Sequence, residues 1–326
     1  METHNFHEYK GKRILVTGGA GFIASALVRL IRNVECIILR VDRPGVLWTP
    51  INGTAQIQDI SGDIRDRSLW EQVIKDVDVV FHFAAQTSTY AANADPTGDI
   101  QINVLPLIHL LESCRISKRP AIVLFSSTAT IVGIPDSLPV DETHPDNPIT
   151  IYDLHKLMAE QYLRYYINQG VVHGVALRLA NVYGPGPKSS SSDRGILNQM
   201  TRRALAGEPL TIYGEGDQLR DYLYVEDAAR AFLKAAQHAE NVAGQYFVIG
   251  SGQGYTIAQA MHLISERVAM KTGIRAPVVN IEPPMPQSRL EYRDFVANPK
   301  RFHQATGWRA RYSLIDGIDS TIEVLI

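Results

Sequence analysis

Short apolar runs alternate with amphipathic segments along most of the chain. The apolar runs, which predict strands, occupy residues 12–17, 36–41, 57–61, 77–83, 121–125, 172–179, 210–213 and 246–249. Segments with helical spacing occupy residues 22–31, 68–75, 102–113, 152–168, 195–206, 225–239, 298–305 and 314–324. Strands that alternate with helices of this length imply βαβ crossovers, so we predict an α/β fold with a mainly parallel sheet.

Composition excludes several classes of protein. The formal net charge is −2, so no global basic field exists to hold nucleic acid or an anionic membrane. The two cysteines, Cys36 and Cys114, lie in apolar patterns, which argues against a disulfide framework or a cysteine-based zinc site, and we predict no metal. Residues 1–10 are polar and no apolar stretch is long enough to span a membrane, so we predict a cytoplasmic location.

A glycine-rich turn follows the first predicted strand. Its sequence over residues 19–24 is Gly-x-Gly-x-x-Ala, it opens the first helix, and Asp42 ends the second strand. Glycines permit the tight turn and let a pyrophosphate approach the helix N-terminus, which predicts a dinucleotide site. Asp42 would accept both adenosine ribose hydroxyls and repel a 2′-phosphate, which favours NAD, although the flanking Arg40 and Arg43 keep NADP open.

Tyr152 and Lys156 stand four residues apart and so share one face of a predicted helix. A tyrosinate base working near neutral pH needs its pKa lowered by about 3 units, or roughly 4 kcal/mol, from the usual value near 10. The lysine cation and a positive nicotinamide ring could supply that stabilisation. Thr128 follows an apolar strand and the pair Ser126–Ser127, and we predict that it positions the reacting hydroxyl.

These motifs together resemble the extended short-chain dehydrogenase/reductase superfamily. More narrowly, nearly the whole chain is similar to the NAD-dependent nucleotide-sugar epimerase/dehydratase family, typified by UDP-glucose 4-epimerase. The resemblance rests on TGGAGFIAS (17–25), GDIR (62–65), HFAA (82–85), Asn103, SSTAT (126–130), YDLHK (152–156), Arg178, NVYGPG (181–186) and RDY (220–222).

The resemblance implies a set of cofactor-binding residues that hold NAD. They are Gly18, Gly21, Phe22, Ile23, Asp42, Asp63, Ile64, Ala84, Ala85, Asn103, Ser126, Tyr152 and Lys156. Asp63 and Ile64 are expected against the adenine. Ala84 and Ala85 are expected against the ribose and phosphates, with Asn103 supporting the backbone of the site.

The same resemblance implies that a nucleotide sugar is the substrate, most simply a UDP-sugar. Asn181 is expected to contact its diphosphate and Arg220 to neutralise it, with Arg289 as a second candidate. Arginine suits this role because its planar fork matches phosphate oxygens. A surface ion pair is the alternative for Arg220. Asn198 is expected to face the substrate, and Thr128 to contact the reacting sugar hydroxyl.

Two features distinguish this chain within the family. Sugar 4,6-dehydratases carry an Asp-Glu pair directly after the threonine, where this chain has Ala129 and Thr130, so elimination of water is not predicted. His155 stands where the family usually has serine, and Val132 where it usually has tyrosine. His155 either contacts cofactor or substrate, or packs as a structural histidine.

We therefore predict an enzyme with a Rossmann-type doubly wound parallel sheet and a smaller C-terminal α/β domain. Residues 1–182, with 221–250 returning, would bind NAD, and residues 183–220 and 251–326 would bind substrate. The predicted reaction is C4 epimerisation through a transient 4-keto sugar, with Tyr152 as acid and base, in a homodimer. The alternatives are an NAD(P)H-dependent 4-keto-sugar reductase or epimerase-reductase and, more remotely, a non-catalytic dinucleotide-binding sensor.

Overall fold

A computed structural model describes residues 6–117, 120–187, 195–282 and 291–326. The strands of this part are β1 (Arg13–Thr17), β2 (Ile37–Asp42), β3 (Gln56–Ser61), β4 (Val79–His82), β5 (Ile122–Thr128), β6 (His173–Leu179), β7 (Asn181–Tyr183), β8 (Leu210–Tyr213), β9 (Leu219–Tyr224), β10 (Tyr246–Ile249), β11 (Gly254–Thr256) and β12 (Val278–Ile281). The helices are α1 (Phe22–Ile31), α2 (Arg67–Val73), α3 (Thr89–Ala94), α4 (Pro96–Asn103), α5 (Leu105–Ser117), α6 (Ile151–Asn168), α7 (Ile196–Leu205), α8 (Val225–Gln237), α9 (Ala239–Val242), α10 (Ile257–Thr272), α11 (Lys300–Thr306) and α12 (Leu314–Leu325).

Seven strands form one parallel sheet in the order β10-β6-β5-β4-β1-β2-β3. The chain winds outward from β1 in one direction through β2 and β3, and in the other through β4, β5 and β6. The strand order therefore reverses between β1 and β4. In open sheets of this kind ligands bind outside the carboxyl ends of the strands at this switch point. The predicted Rossmann-type α/β fold is confirmed.

Helices cover both faces of this sheet. Ile14 and Val16 of β1 point to one face, where α1 and α8 pack, and Leu15 points to the other, among α2, α5 and α6. Both faces are buried, which explains why the inner strands read as continuous apolar runs. Phe232 of α8 and Trp70 of α2 are among the largest fully buried side chains. Burying such a side chain contributes about 1.5–3 kcal/mol.

The C-terminal part of the chain forms two smaller sheets. Strand β9 lies between β7 and β11, and β8 pairs in parallel with β12. Helices α7, α10 and α12 pack around them over a core that includes Met200, Met261 and Ile318. Strand β10 does not belong to these sheets, because it pairs with β6 at the edge of the large sheet.

Several short elements were not predicted, namely the strands β7, β9, β11 and β12 and the helices α3 and α9. Two further differences have a local explanation. The segment predicted as a helix over 102–113 belongs to α4 and α5, with the break at Val104. Pro106 lacks a backbone N–H and disfavours helical geometry before it, which separates the two helices. Helix α10 was not predicted, although Thr256 and Gln259 form a capping box at its start.

Two further sequence predictions concern the serine-rich loop and the absence of a membrane span. The serine segment 189–192, predicted together with 184–187 as a connector or gating loop, lies outside the described residues, as do 188, 193 and 194. Among the residues that the structure describes, no helix combines the length and the apolar character needed to cross a membrane.

Candidate active site

The glycine turn occupies the switch point of the large sheet. Gly18 has a φ of +63°, and a Cβ there would lie 2.9 Å from the backbone nitrogen of Ala84. Gly21 begins α1 without a side-chain cap, and a Cβ there would lie 2.7 Å from the Gly18 carbonyl oxygen. The first-turn N–H groups of α1 are therefore left for an anion, which the positive end of the helix dipole also favours.

Asp42 lies at the end of β2 beside this turn. Its carboxylate accepts hydrogen bonds from the backbone N–H groups of Ala20, at 3.1 Å, and Arg43, at 2.8 Å. Arg40 is buried, and its guanidinium donates to both carboxylate oxygens of Asp59 at 2.6 and 2.7 Å. Because Arg40 is committed to Asp59, it is not available to a 2′-phosphate. The Asp42 carboxylate therefore suits a cofactor whose adenosine ribose carries no 2′-phosphate.

Replacing Asp42 by serine should weaken NAD binding about tenfold and narrow the preference for NAD over NADP. The carboxylate that bonds the ribose and repels a 2′-phosphate is lost, and charged hydrogen bonds contribute about 1.5–3 kcal/mol. Isothermal titration with each cofactor measures both affinities. Arg43→Gln tests the other flanking charge, and we expect it to leave the affinity for NAD unchanged and to weaken only that for NADP. An unaltered ratio of the two affinities in Asp42→Ser would contradict this role of Asp42.

Most of the other predicted cofactor residues lie at the same edge of the sheet. Asp63 and Ile64 follow β3, Ala84 and Ala85 follow β4, Phe22 and Ile23 open α1, and Ser126 lies near the end of β5. Thr17 joins two of these strand ends, since its Oγ1 accepts from Ala84 N–H at 3.2 Å and lies 2.9 Å from Nδ1 of His82. Burial, and secondarily the charge of Lys156, lower the pKa of His82 to about 3, so its imidazole is neutral.

Asn103 and Asp63 have defined partners within the protein. The amide of Asn103 donates at 2.9 Å to the carbonyl of Gln86, one residue beyond Ala85. Its own Oδ1 is buried without a partner among the described residues. Asp63 is half-exposed and pairs with Arg65, whose hydrogen bonds lower the pKa of the carboxyl.

Tyr152 and Lys156 are buried together in the first turns of α6. The Lys156 ammonium donates to the Ser126 carbonyl at 3.0 Å, and its nitrogen lies 5.8 Å from the centre of the Tyr152 ring. Burial lowers the pKa of Lys156 to about 8, against the opposing effects of Asp99 and Glu160. A lysine cation beside a buried phenol is the arrangement that lowers the free energy of a tyrosinate.

Thr128 lies at the end of β5 in a short chain of polar groups. Its Oγ1 lies 2.7 Å from Oγ1 of Thr130, which in turn donates to the carboxylate of Asp153. Asp153 is fully buried on the first turn of α6 and also accepts from Thr150, the N-cap of that helix. Thr130 and Asp153 thus hold the end of β5 against the helix that carries Tyr152.

A buried ionic network lies behind β5. Arg178 of β6 pairs with Glu160 at 2.7 Å and with Asp146 at 2.6 Å, and its guanidinium stacks 3.6 Å from the centre of the Tyr246 ring. Ser127 donates to Glu160 in turn. Because each buried charge has an opposite partner, the network tolerates burial and fixes the strand that carries Thr128.

The predicted substrate residues lie on the C-terminal part of the chain. Asn181 is exposed at the start of β7, and Oδ1 of Asn198 accepts from Gly184 N–H at 2.9 Å. Arg220 on β9 donates to the main-chain carbonyls of Leu219 at 3.0 Å and Glu291 at 2.8 Å, and also to that of Arg293. Burial lowers the pKa of Arg220. Arg289 lies outside the described residues.

The alternative ion pair of Arg220 with Asp221 is not formed. The Asp221 carboxylate instead accepts from the backbone N–H groups of Ser251, Gly252 and Ala297 at 2.8–3.1 Å. Arg220 is half-buried with main-chain carbonyls as its hydrogen-bond acceptors, and the nearby charges of Glu291 and Asp294 oppose the lowering of its pKa by burial. A guanidinium in this position suits an anionic ligand.

Sequence reasoning did not find several residues that surround the catalytic pair. Asp99, Gln86 and Asp153 all contact predicted site residues or their neighbours. The Thr150-x-x-Asp153 spacing is a helix-capping signal that could have placed Asp153. Asp99 stands four residues before Asn103, which puts both on one helix face, but nothing in the sequence indicates its partner on α6.

His155 and Val132, the two departures from the family pattern, are both buried. Nδ1 of His155 lies 2.7 Å from the carboxylate of Asp99. Val132 packs in a small apolar cluster with Ala129 and Val140.

Comparison with known proteins identifies relatives along nearly the whole chain. Residues 14–250 match the NAD dependent epimerase/dehydratase family. A putative UDP-glucose 4-epimerase of Methanocaldococcus jannaschii is 32% identical over 311 residues, which cover 95% of this chain and 97% of that protein. The UDP-glucose 4-epimerase of Thermotoga maritima, solved with UDP-glucose, is 30% identical with a TM-score of 0.84, over 96% of this chain and 98% of that one. The Thermus thermophilus UDP-glucose 4-epimerase, solved with NAD, is 29% identical with a TM-score of 0.80, over 95% of this chain and 98% of that one.

The fold, the dinucleotide turn and the Tyr-Lys pair define an NAD-dependent enzyme of the short-chain dehydrogenase/reductase type. This chain belongs to the NAD dependent epimerase/dehydratase family. The predictions of the family and of NAD as cofactor are confirmed.

Proposed function

We propose that this protein is a nucleotide-sugar 4-epimerase that acts on a UDP-sugar. The observation that carries the proposal is the buried pair Tyr152 and Lys156 beside the end of β5, where Ala129 and Thr130 follow Thr128. A dehydratase needs an acid and a base at those two positions, whereas a 4-epimerase needs one acid-base group at C4. The relatives named as UDP-glucose 4-epimerases, and the Thermotoga structure with UDP-glucose, support UDP-sugars as substrates.

In this proposal the chain's own residues hold the cofactor and move one proton. Residues 18–23, Asp42 and the segments after β3 and β4 would hold NAD, which supplies a reversible acceptor for the C4 hydrogen of the sugar. Tyr152, as the phenolate, takes the proton of the C4 hydroxyl and later returns it to the same oxygen. Inversion requires the 4-keto sugar to turn within the pocket between the two half-reactions, so that the hydrogen comes back to C4 on the opposite face. Thr128 positions that hydroxyl, and Lys156 stabilises the phenolate. No net oxidation or reduction results.

The substrate half of the proposal rests on charge. Arg220 would neutralise the diphosphate, with Asn181 and Asn198 as polar contacts and Arg289 as a further candidate. In this proposal residues 1–182 and 221–250 form the domain that binds NAD, and residues 183–220 and 251–326 form the domain that binds the sugar nucleotide.

The reductase and sensor alternatives are less well supported. A 4-keto-sugar reductase that consumes NADPH would need a cation for the 2′-phosphate. Of the two arginines that flank Asp42, Arg40 is held by Asp59, which leaves only the exposed Arg43 for that role. A non-catalytic sensor would not need the buried Tyr152 and Lys156.

We expect the purified protein to interconvert a UDP-hexose and its C4 epimer without added reductant. The test is proton NMR of the anomeric region during incubation with UDP-glucose, UDP-N-acetylglucosamine, UDP-glucuronate, and GDP-, CDP- and dTDP-sugars, each with and without NADPH. Appearance of the C4 epimer without NADPH supports the proposal. Product formed only with stoichiometric NADPH consumption would establish the reductase instead, and no product from any sugar would refute the assignment.

A homodimer through α5 and α6 remains a proposal. Leu154, Tyr162 and Tyr165 form an exposed apolar stripe on α6, and Leu105 and Ile116 lie at helical spacing on the exposed face of the neighbouring α5. Such a stripe suits isologous helix packing. Light scattering of the purified protein would give its mass in solution.

A further inference from the structure

A buried carboxylate lies beside the catalytic pair and has no role in the proposal above. Asp99 of α4 is 2% exposed, and both of its oxygens are occupied. One accepts from the side-chain amides of Gln86 at 2.7 Å and Asn103 at 2.9 Å, and the other lies 2.7 Å from Nδ1 of His155. A buried carboxylate with three partners is positioned rather than accidental, because its desolvation is costly.

These contacts join three elements of the active site. Gln86 follows the segment after β4 that is expected to line the cofactor, and Asn103 ends α4. His155 directly precedes Lys156 on α6. Asp99 therefore connects the segment after β4 to α6 at His155, the residue next to Lys156, and its negative charge raises the pKa of that lysine.

The charged surroundings of Lys156 show why Asp99 matters. His82 of β4 and Asp99 of α4 act on Lys156 or are acted on by its charge. The other titratable groups on the elements packed against α6 are Tyr90 from α3, His109, Glu112, Cys114 and Arg115 from α5, and His173 and Arg178 from β6, while α6 itself carries Tyr152, Asp153, His155, Glu160, Tyr162, Arg164, Tyr165 and Tyr166. Burial lowers the pKa of Lys156, and Asp99 and Glu160 oppose it. The charge of Glu160 is matched by Arg178, whereas among the described residues Asp99 has only His155 as an ionisable partner.

We propose that Asp99 is a positioning residue that stabilises the ammonium form of Lys156 and ties α6 to the segment after β4. His155, the residue that departs from the family pattern, holds the carboxylate in place on the side away from the amides. The consequence for turnover rests on the proposed function, since Lys156 must be a cation to stabilise the Tyr152 phenolate.

Asp99→Asn is the sharpest variant because asparagine has the same shape and can keep all three hydrogen bonds. Its oxygen can accept from both amides, and its NH2 can donate to Nδ1 of His155 in the other tautomer. Only the charge is then lost. Asp95→Asn is the matched control, since it removes one charge from the exposed N-cap of the same helix. His155→Ser removes the partner but leaves the carboxylate.

The measurement is the titration of the Lys156 Nζ resonance in 15N-lysine-labelled protein, assigned by its absence in Lys156→Met. We expect a midpoint near pH 8 in the natural protein and in Asp95→Asn, and a midpoint about one unit lower in Asp99→Asn. In His155→Ser the midpoint should hold or rise, because the carboxylate is no longer shared. If the substitutions only loosened the packing of the site, the Lys156 midpoint would instead shift in the same direction in Asp99→Asn and His155→Ser.

A midpoint in Asp99→Asn equal to that of the natural protein would overturn the inference. If Asp99→Asn does not fold, His155→Ser decides, and a lowered midpoint there overturns the inference while a held or raised one supports it. The titration needs no substrate, so its failure is separate from failure of the proposed reaction in the sugar panel. With a sugar nucleotide that the enzyme turns over, kcat in Asp99→Asn should begin to fall at a lower pH than in the natural protein. The shift should equal the shift in the Lys156 midpoint, while KM changes little.

Discussion

Tyr152→Phe should lower kcat by about 10³-fold while the protein still folds and retains NAD. The substitution removes only the hydroxyl from a buried ring, so packing in α6 is kept. The loss is that expected for removal of a general acid-base group, which contributes about 10²–10⁴-fold. The measurements are kcat by coupled assay or NMR, the melting temperature, and the NAD released on denaturation.

Tyr162→Phe supplies the matched control for this prediction. Tyr162 lies on the same helix but is 40% exposed, so loss of its hydroxyl should leave kcat unchanged. Equal turnover in Tyr152→Phe and the natural protein would remove Tyr152 from the mechanism. A large loss of NAD in Tyr152→Phe would show that the hydroxyl holds the cofactor rather than moving a proton.

Lys156→Met should lower kcat by about 10²-fold or more and remove the alkaline limb of the pH profile. Burial lowers the pKa of Lys156 to about 8, so the side chain is a cation below that pH and neutral above it. Activity that depends on the cation is therefore full on the acid side and declines as pH rises through about 8. Methionine keeps the apolar stem but carries no charge at any pH.

Lys156→Arg separates charge from shape in the same profile. Arginine stays cationic throughout the accessible range, so this variant should keep part of its activity and also lose the alkaline limb. The profile is measured as kcat from about pH 6 to 10, a range that brackets the lysine titration. If Lys156→Met kept the alkaline limb of the natural enzyme, that limb would reflect the titration of another group. The proposal that the Lys156 cation stabilises the Tyr152 phenolate would then be wrong.

The large sheet was readable from the sequence because each of its elements carries a local signal. Strands buried on both faces are continuous apolar runs, and α1 and α6 have clear helical periods. Elements of the C-terminal part gave weaker signals. Strand β9 holds Arg220 and Asp221 among two leucines and two tyrosines, and its pairing with β7 and β11 depends on contacts distant in the chain.

Some features of the candidate site were likewise predictable from the sequence, and others were not. The glycine turn with Asp42, and the Tyr152–Lys156 spacing after the strand that ends in Ser-Ser-Thr, are predictable because they are ordered combinations of short motifs. The partner of Arg40 was not predictable, because Asp59 lies nineteen residues away on the neighbouring strand. The sequence left NADP open because two arginines flank Asp42, and the structure shows Arg40 committed to a carboxylate and Arg43 exposed.

By itself the sequence determined the fold class and predicted the dinucleotide turn and the Tyr152–Lys156 pair, because each depends mainly on neighbours within about one helical turn or one strand. Only the tertiary structure decided which charges offset one another. It placed Asp99 against His155, fifty-six residues along the chain, and buried Lys156 beside them. Charge effects depend on distance and burial, which chain spacing does not fix, so the electrostatics of this site belong to the fold.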